Sequence, residues 1–311
     1  MVNVGKALSQ LREQPGYTAM RGFARFPVAR RVVSGVIGAL HYRSLPAFLD
    51  DCEARLPTTQ FPGVNRQVFL DDLESAGLAF GLTLPSNTLE ELRRYADEAD
   101  CYADRKPQFG FKHQNRKEAE VKLGKSILVA QYFNTMDHSA AVRQLANDPL
   151  LNWVAARYLG SVPKFLGANM WWTFPTNASE EDRNKHAHLF HRDVDDFRFF
   201  KYFFYLTDVD EGDGAHVCVA ASNKNPPVLK RGDQWALRRY TDAEIESYYP
   251  GSAIKEISGK RGTGFAEDTF CIHKGSTPKR DARLLLQLQY GLMDYGAMHD
   301  RVEPASLKKI A

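Results

Sequence analysis

The residues of this chain best suited to chemistry are a histidine and an aspartate two positions apart, His191 and Asp193. If that segment is extended, the two side chains point to one face, where an imidazole nitrogen and a carboxylate oxygen can bind one metal ion. A further histidine, His273, ends a later β-rich stretch. Two histidines and one carboxylate on one side of a metal, with the other positions open, suit non-haem Fe(II) and oxygen chemistry.

A strand pattern that begins at Arg283 continues to residue 290. Alternation along a strand predicts two faces with four residues each. The first face holds Arg283, Leu285, Gln287 and Gln289, and the second holds Leu284, Leu286, Leu288 and Tyr290. If Arg283 points into a barrel, the glutamines of its face do too, and one of them is expected to reach a ligand. The adjacent Trp171 and Trp172 are expected to divide between the interior and the outer core in the same way.

The order of these residues resembles the phytanoyl-CoA dioxygenase family of Fe(II)/2-oxoglutarate oxygenases. The matching segments are TDVDEGDGAHVCVAASN, residues 207–223, and RGTGFAEDTFCIHKGSTPKRDAR, residues 261–283, and the resemblance covers roughly residues 66–295. It implies a double-stranded β-helix, which is a cupin-like jelly-roll barrel. It also implies Fe(II) as cofactor, 2-oxoglutarate and O₂ as cosubstrates, and hydroxylation of a small molecule or natural product with release of succinate and CO₂.

The resemblance also assigns roles to single residues. It implies that His191, Asp193 and His273 bind iron and that Arg283 holds the far carboxylate of 2-oxoglutarate. Related halogenases have a small residue at the position of Asp193, so the aspartate favours hydroxylation. Arg283 lies one position closer to the distal histidine than in many family members, and Arg280, in the preceding loop, is therefore a rival for the cosubstrate.

Other ligand sets and other kinds of protein stay open at this point. His186 and His188 with Asp193 form an alternative set of the cupin kind, although the glycines around a cupin histidine pair are missing. We expect His188 to contact the substrate or to support the ligands, as we do for Trp171 and Gln287. The competing functions are a metal-binding cupin-like module, a zinc hydrolase that uses the same triad, and a jelly-roll binding protein without metal.

The distribution of patterns along the chain predicts its architecture. Many short strands without intervening helices follow residue 160, which indicates an antiparallel sandwich or barrel. Residues 1–65 are predicted to form a basic helical extension, and residues 66–311 an oxygenase domain with its β-helix core at about 126–295. The two are expected to be one structural unit, in which N-terminal helices buttress the larger sheet. Residues 139–159 are predicted to be one helix, and Thr88 with Glu91 a capping box.

Composition restricts the surroundings in which the chain works. The net charge is +3, and residues 1–45 hold seven basic residues and one acidic residue. The segment around residues 30–40 is interpreted as a core-packed basic helix, with contact to an anionic surface or an acidic partner as the alternative. The four cysteines are far apart and are expected to be reduced, buried thiols of a cytoplasmic protein. We expect no transmembrane segment and no nucleic-acid partner, and a homodimer is compatible with the sequence.

Overall fold

The computed structural model describes residues 14–177, 187–224, 238–296 and 300–311. Within these residues the β-strands form two antiparallel sheets, a larger sheet of eight strands and a smaller sheet of three. Together they form the jelly roll that the sequence predicts. The strands are β1 (Leu78–Thr83), β2 (Cys101–Ala103), β3 (Gly110–Phe111), β4 (Val129–Tyr132), β5 (Lys164–Thr173), β6 (Phe199–Tyr205), β7 (His216–Val219), β8 (Ile254–Ile257), β9 (Thr263–Glu267), β10 (His273–Gly275) and β11 (Arg283–Gly291).

The larger sheet has the strand order β1-β9-β6-β11-β5-β4-β2-β3, and the smaller sheet has the order β10-β7-β8. Strand β11 lies inside the larger sheet, where it pairs with β5 on one side and with β6 on the other. Leu285 lies opposite Trp171, and Gln287 lies opposite Asn169. This register places the polar face of β11 beside the matching face of β5.

The helices pack mostly against the outer face of the larger sheet. Ten α-helices lie within the described residues: α1 (Pro15–Phe23), α2 (Pro27–Leu40), α3 (Ser44–Arg55), α4 (Arg66–Ala76), α5 (Ser86–Glu98), α6 (Arg116–Leu123), α7 (Thr135–His138), α8 (Ala140–Ala146), α9 (Pro149–Leu159) and α10 (Asp242–Tyr248). Helices α4 and α9 share one hydrophobic core with Leu284, Leu286 and Leu288 of β11. The outer face of β11 is therefore the aliphatic one, as its alternation predicts.

The prediction of one helix over residues 139–159 is wrong, because the segment forms α8 and α9. The break falls before Pro149, whose ring carries no backbone N–H to continue the hydrogen-bond ladder. Asp148 begins the second helix instead, since its side chain accepts hydrogen bonds from the backbone N–H groups of Leu150 and Leu151 at 2.9 and 3.2 Å.

The predicted capping box at Thr88 and Glu91 is also absent. Helix α5 begins earlier, at Ser86, and its N-cap residue Pro85 makes no side-chain capping hydrogen bond. Thr88 is buried inside the first turn and donates from Oγ1 to Gln60 Oε1 at 2.6 Å. Its hydroxyl thus ties α5 to the segment before α4.

Residues 15–58 are mostly helical, and they reach the main core. Met20, Ala24, Cys52 and Phe61 belong to the same buried cluster as the strands of the larger sheet. The division of the chain at residue 66 stays a prediction. Among the described residues no single helix combines the length and the apolar composition needed to cross a bilayer, although α2 and residues 44–58, bent by 78°, meet both criteria as a pair.

Helix α2 packs against the core along one side only, so the prediction of a core-packed helix is correct only in part. None of its residues is fully buried. Ala29, Val33 and Ile37 are partly buried against the core, while the valines on the opposite side face outward. The sequence does not distinguish the two sides, because apolar residues occur around most of the helix.

Candidate metal centre

The two candidate histidine ligands come from segments that are far apart in the chain and are held together by backbone hydrogen bonds. His191 and His273 form an isolated antiparallel bridge, with each N–H donating to the other residue's carbonyl at 2.9 Å. The backbone N–H of Asp193 donates to the Thr269 carbonyl, also at 2.9 Å. The protein backbone therefore fixes the relative positions of all three candidate ligands.

The ring orientations leave one nitrogen of each histidine directed at the aspartate. His191 Nδ1 lies 2.9 Å from the carbonyl oxygen of Leu189, and His273 Nδ1 lies 2.9 Å from that of Cys271. A carbonyl can only accept, so each Nδ1 carries the proton and each Nε2 keeps its lone pair. The Nε2 atoms lie 3.5 Å (His191) and 3.6 Å (His273) from the two carboxylate oxygens of Asp193.

These donor atoms form a compact set. All ligand atoms of His191, Asp193 and His273 lie within 4.8 Å of one another, and no other group of three or more such residues was found among the described parts of the chain. Neutral imidazoles with a carboxylate are the donors that Fe(II) accepts in oxygen-reacting sites. The tautomers, the spacing and the donor types all fit a metal ion held by these three side chains.

The local backbone differs from the prediction in two respects. His191 and Asp193 do not lie on a ladder strand, because only the bridge at positions 190 and 191 is β-like. His273 begins β10 rather than ending the preceding strand, since β9 ends at Glu267 and a turn follows. The side chains nevertheless meet, because the backbone bridge between His191 and His273 brings them together without a regular strand.

The electrostatic environment shifts the pKa values of the three candidate ligands in different directions. Burial lowers the pKa of His191 well below its usual value, an effect that the nearby His273 reinforces. Burial also lowers the pKa of His273, but the carboxylates of Glu267 and Asp193 outweigh it and raise that pKa overall. For Asp193, burial raises the pKa, whereas Lys201 and His273 outweigh it and hold the pKa well below the usual value. Asp193 is thus an anion and His191 is neutral at pH 7.

A buried lysine contacts the candidate carboxylate ligand. Lys201 Nζ lies 2.6 Å from Asp193 Oδ2 and 3.0 Å from Asp195 Oδ2. Asp195 in turn accepts hydrogen bonds from Tyr17 Oη at 3.3 Å and from Gln289 Nε2 at 3.4 Å. This network orients Asp193, and it joins helix α1 to the wall of the site.

A second network lies behind His273. Glu267 is fully buried, and its Oε2 lies 2.5 Å from His216 Nε2. Its other oxygen, Oε1, is 3.5 Å from His273 Nδ1 and has no hydrogen-bond partner among the described residues. The negative charge of Glu267 therefore faces the back of the His273 ring and makes it a more basic ligand.

The candidate ligands open into a cavity of about 220 Å³ between the two sheets. Polar side chains dominate its wall, and four aromatic or aliphatic side chains lie among them. Apart from the three candidate ligands, the wall consists of Arg105, Gln131, Asn169, Trp171, Ala187, His188, Asp195, Lys201, Phe203, His216, Gly275, Arg283, Leu285, Gln287 and Gln289. The four residues predicted on the polar face of β11 all line the cavity, so that prediction is confirmed.

Arg283 is a buried cation inside this cavity. It is 2% exposed, donates to the Gly214 carbonyl and to Thr173 Oγ1, and its Nε has no partner among the described residues. None of the ion pairs found in the described residues includes it, and burial lowers its pKa. A buried guanidinium without a carboxylate is costly unless a ligand supplies the negative charge.

The rival arginine has a different position. Arg280 is on the surface, where its Nε and Nη2 lie 3.1 and 3.0 Å from the carboxylate oxygens of Asp213. Gly214 continues this turn with φ +78°, and an added Cβ would lie 2.6 Å from Pro278. The tight turn is what brings the Gly214 carbonyl to Arg283. Of the two arginines, Arg283 is the one that reaches the cavity.

The remaining predicted contacts are also on the cavity wall, apart from His186, which lies outside the described residues. Trp171 and Gln287 line the cavity, whereas Trp172 is in the core, where its Nε1 donates to Tyr132 Oη at 2.8 Å. The expected division of the two tryptophans is confirmed. His188 also lines the cavity, and its Nδ1 lies 2.8 Å from Thr277 Oγ1.

Several wall residues escaped the sequence analysis. Lys201 and Glu267 are the clearest cases. Lys201 lies inside β6 and Glu267 ends β9, and the other side chains of these two strands are mostly apolar. A charge in such a position must be paired or functional, so this signal was present in the sequence. His216 and Arg105 gave no comparable signal, since both lie near loops where polar residues are ordinary.

Comparison with known proteins gives a likeness in structure but not in sequence. No protein-family model and no curated protein sequence matches the chain. Among solved structures, the epimerase SnoN in complex with Fe³⁺, alpha ketoglutarate and nogalamycin RO has a TM-score of 0.51 and 16% identity. The alignment covers 74% of this chain and 83% of SnoN.

Two further structures show a weaker likeness. HygX from Streptomyces hygroscopicus, with nickel, 2-oxoglutarate and hygromycin B bound, has a TM-score of 0.49, 16% identity, and coverage of 72% of this chain and 86% of its own. The carbocyclase SnoK from nogalamycin biosynthesis has a TM-score of 0.47, 13% identity, and coverage of 76% and 86%. At such identities the likeness extends to the fold, and the chain shares the jelly-roll fold of SnoN.

Proposed function

We propose that this chain is a non-haem Fe(II)- and 2-oxoglutarate-dependent oxygenase related to the phytanoyl-CoA dioxygenase family. It hydroxylates a small molecule or natural product and releases succinate and CO₂. The observation that carries the proposal is the combination of the His191, Asp193 and His273 donor set with the uncompensated buried cation Arg283 in one cavity. A metal site alone would fit many functions, whereas the additional buried guanidinium favours a ligand with a carboxylate, which it can bind through two charge-assisted hydrogen bonds.

Different residues bind the metal and the cosubstrate. His191 and His273 hold Fe(II) through their Nε2 atoms and Asp193 through a carboxylate oxygen. Arg283 binds the far carboxylate of 2-oxoglutarate, which supplies the negative charge that its own surroundings lack. Bound iron supplies the redox chemistry that couples oxygen to the decarboxylation of the 2-oxo acid and to the oxidation of the substrate.

The surrounding residues orient the ligands and shape the substrate space. Lys201 holds Asp193 in place through the 2.6 Å contact, and Glu267 supports His273 from behind. Trp171, His188 and Gln287 lie on the wall of the same cavity and are the residues that we assign to substrate contact. The fold likeness to SnoN, whose structure contains Fe³⁺ and alpha ketoglutarate, supports the assignment of both cofactors.

The test is oxygen-dependent formation of succinate by the purified chain with Fe(II) and 2-oxoglutarate, with ascorbate as the reductant that supplies the two electrons otherwise taken from the substrate. We expect turnover that needs all three components, and a loss of more than about 100-fold in His191→Ala and Asp193→Ala, because removal of a ligand costs more than removal of its supporting partner. Val121→Asp, a change at an exposed position of α6, is the matched control and should retain turnover.

Two results would overturn the proposal. The first is full succinate formation in the ligand variants. The second is a hydrolytic activity with Zn²⁺ that needs neither oxygen nor 2-oxoglutarate, which would favour a zinc hydrolase at the same triad.

A further inference from the structure

A stripe of exposed apolar side chains runs along helix α2, in contrast to the polar wall of the cavity. Val28, Val32, Val36 and Leu40 are 64%, 58%, 54% and 73% exposed. Their spacing of four residues places them along one side of the helix, which is about 21 Å long. Phe23 at the end of α1 and Tyr42 just after α2 are exposed as well, at 63% and 77%. The surfaces of soluble monomeric proteins seldom expose so many neighbouring large apolar side chains unless a partner covers them.

The orientation of α2 is fixed by its other side. Val33 and Ile37 pack against the main core, and the guanidinium of Arg30 lies over the ring of Phe270 at 4.0 Å. Gly38 lies close to the Gly160 carbonyl, and His41 Nδ1 is 2.5 Å from Ser161 Oγ at the end of the helix. The stripe therefore faces outward because the opposite side is anchored, and the helix cannot hide it by a simple rotation.

The segment of the chain that carries the stripe is basic. Residues 14–49 contain five arginines and no acidic residue. Arg31 is exposed about one turn after Val28, beside the start of the stripe, and Arg43 is exposed just after the end of α2. Apolar side chains with flanking arginines and no carboxylate match a surface that is apolar below and anionic above.

We propose that α2 and its flanking arginines bind the surface of a bilayer that contains anionic lipids. The helix lies in the plane of the interface, with the valine stripe among the acyl chains and Arg31 and Arg43 at the phosphate groups. A second copy of the chain fits less well. A two-fold contact brings each patch against its own equivalent, and here it brings arginines together without a carboxylate from residues 14–49 to pair with them.

This surface is independent of the candidate metal centre. Neither the stripe nor Arg31 lines the cavity, and none of them belongs to the proposed ligand set. Membrane binding and succinate formation are therefore separable measurements, and the failure of one leaves the other standing.

The experiment measures co-sedimentation of the full chain with vesicles of phosphatidylcholine alone and with vesicles that also contain phosphatidylglycerol. We expect binding to the second kind only, weakened as salt shortens the Debye length from about 10 Å to about 3 Å. Val32→Asp and Val36→Asp should abolish binding. Arg31→Glu should weaken it at least fivefold, since each basic residue near an anionic surface contributes about that factor.

Matched controls separate the stripe from general surface effects. Val121 is an exposed valine on α6 and Arg94 an exposed arginine on α5, so Val121→Asp and Arg94→Glu should bind vesicles as the unchanged chain does. Thermal unfolding should show the same midpoint for all variants. No binding to anionic vesicles, or binding that Val32→Asp leaves intact, overturns the proposal. So does a dimer in light scattering that Val32→Asp dissociates, because a second copy would then cover the stripe.

Discussion

The two faces of strand β11 are equally buried and have opposite chemistry. Leu284, Leu286 and Leu288 point outward into the main hydrophobic core, at 1% exposure or less. Arg283 and Gln287 point into the cavity, at 2% and 8% exposure. Burial alone therefore does not distinguish the stabilising face from the one that we assign to function.

The two faces differ in what they contribute to the stability of the fold. Aliphatic burial on the outer face stabilises the fold by about 25 cal/mol for each Å² removed from water. The inner face of the larger sheet instead buries the guanidinium of Arg283 on β11, together with Lys201 on β6 and Glu267 on β9, and such charges lower stability unless they are paired. Lys201 has two carboxylate partners, whereas Arg283 has none among the described residues. The face that keeps an uncompensated charge is the face to which we assign ligand binding.

The sharpest test of this comparison is the same substitution on adjacent residues of the two faces. Leu286→Ala should lower the free energy of unfolding by about 2 to 5 kcal/mol, because it removes packed methyl groups from the core. Gln287→Ala should lower it by less than about 1 kcal/mol, because the side chain faces an open cavity. Urea denaturation of both variants measures the difference. Equal losses would contradict the division into two faces.

Arg283→Gln should separate stability from cosubstrate binding. We expect the KM for 2-oxoglutarate to rise about 30-fold, which corresponds to about 2 kcal/mol for a lost charge-assisted contact. The ligand-free variant should unfold at a higher urea concentration than the unchanged chain, since a buried unpaired charge is gone. Arg280→Gln, on the surface, is the control and should change neither quantity. A rise in KM with Arg280→Gln instead would reverse the assignment of the two arginines.

The pH dependence of stability should also differ between the faces. The pKa values of His191 and His216 are lowered by burial, so below about pH 6.5 each of these histidines binds fewer protons in the folded chain than in the unfolded chain. The two histidines should therefore lower the stability of the metal-free protein on acidification, by at most about 1.4 kcal/mol per pH unit each. Burial raises the pKa values of Asp196 and Asp300 to about 6, so these carboxyl groups oppose the histidines below that pH. The raised pKa of His273 acts at higher pH, where stability is lost as pH rises through it.

Urea denaturation of the metal-free chain between pH 7 and pH 5 measures this slope, and His216→Gln should reduce it. Leu288→Ala, on the aliphatic face, should lower stability at every pH and leave the slope unchanged. A slope that persists in full in His216→Gln would show that His216 does not contribute to the acid sensitivity.

Part of the site was predictable because its signals are local. Alternation along β11 correctly assigned Arg283 and Gln287 to one face, since side chains of a strand alternate whatever they contact. The adjacent tryptophans divided as expected for the same reason. The break before Pro149 was equally local, because it follows from the missing N–H of proline, yet the periodicity on both sides concealed it.

The amino-acid sequence by itself determined the donor types, the alternation of β11 and the basic character of the N-terminal helices, because these depend on residue identity and on the geometry of neighbours in the chain. Only the tertiary structure decided that His191 bridges to His273, that Glu267 lies behind the distal histidine, and that one side of α2 stays exposed. Such contacts join segments distant in sequence. Their formation depends on how whole sheets and helices pack, and local periodicity carries no record of that packing.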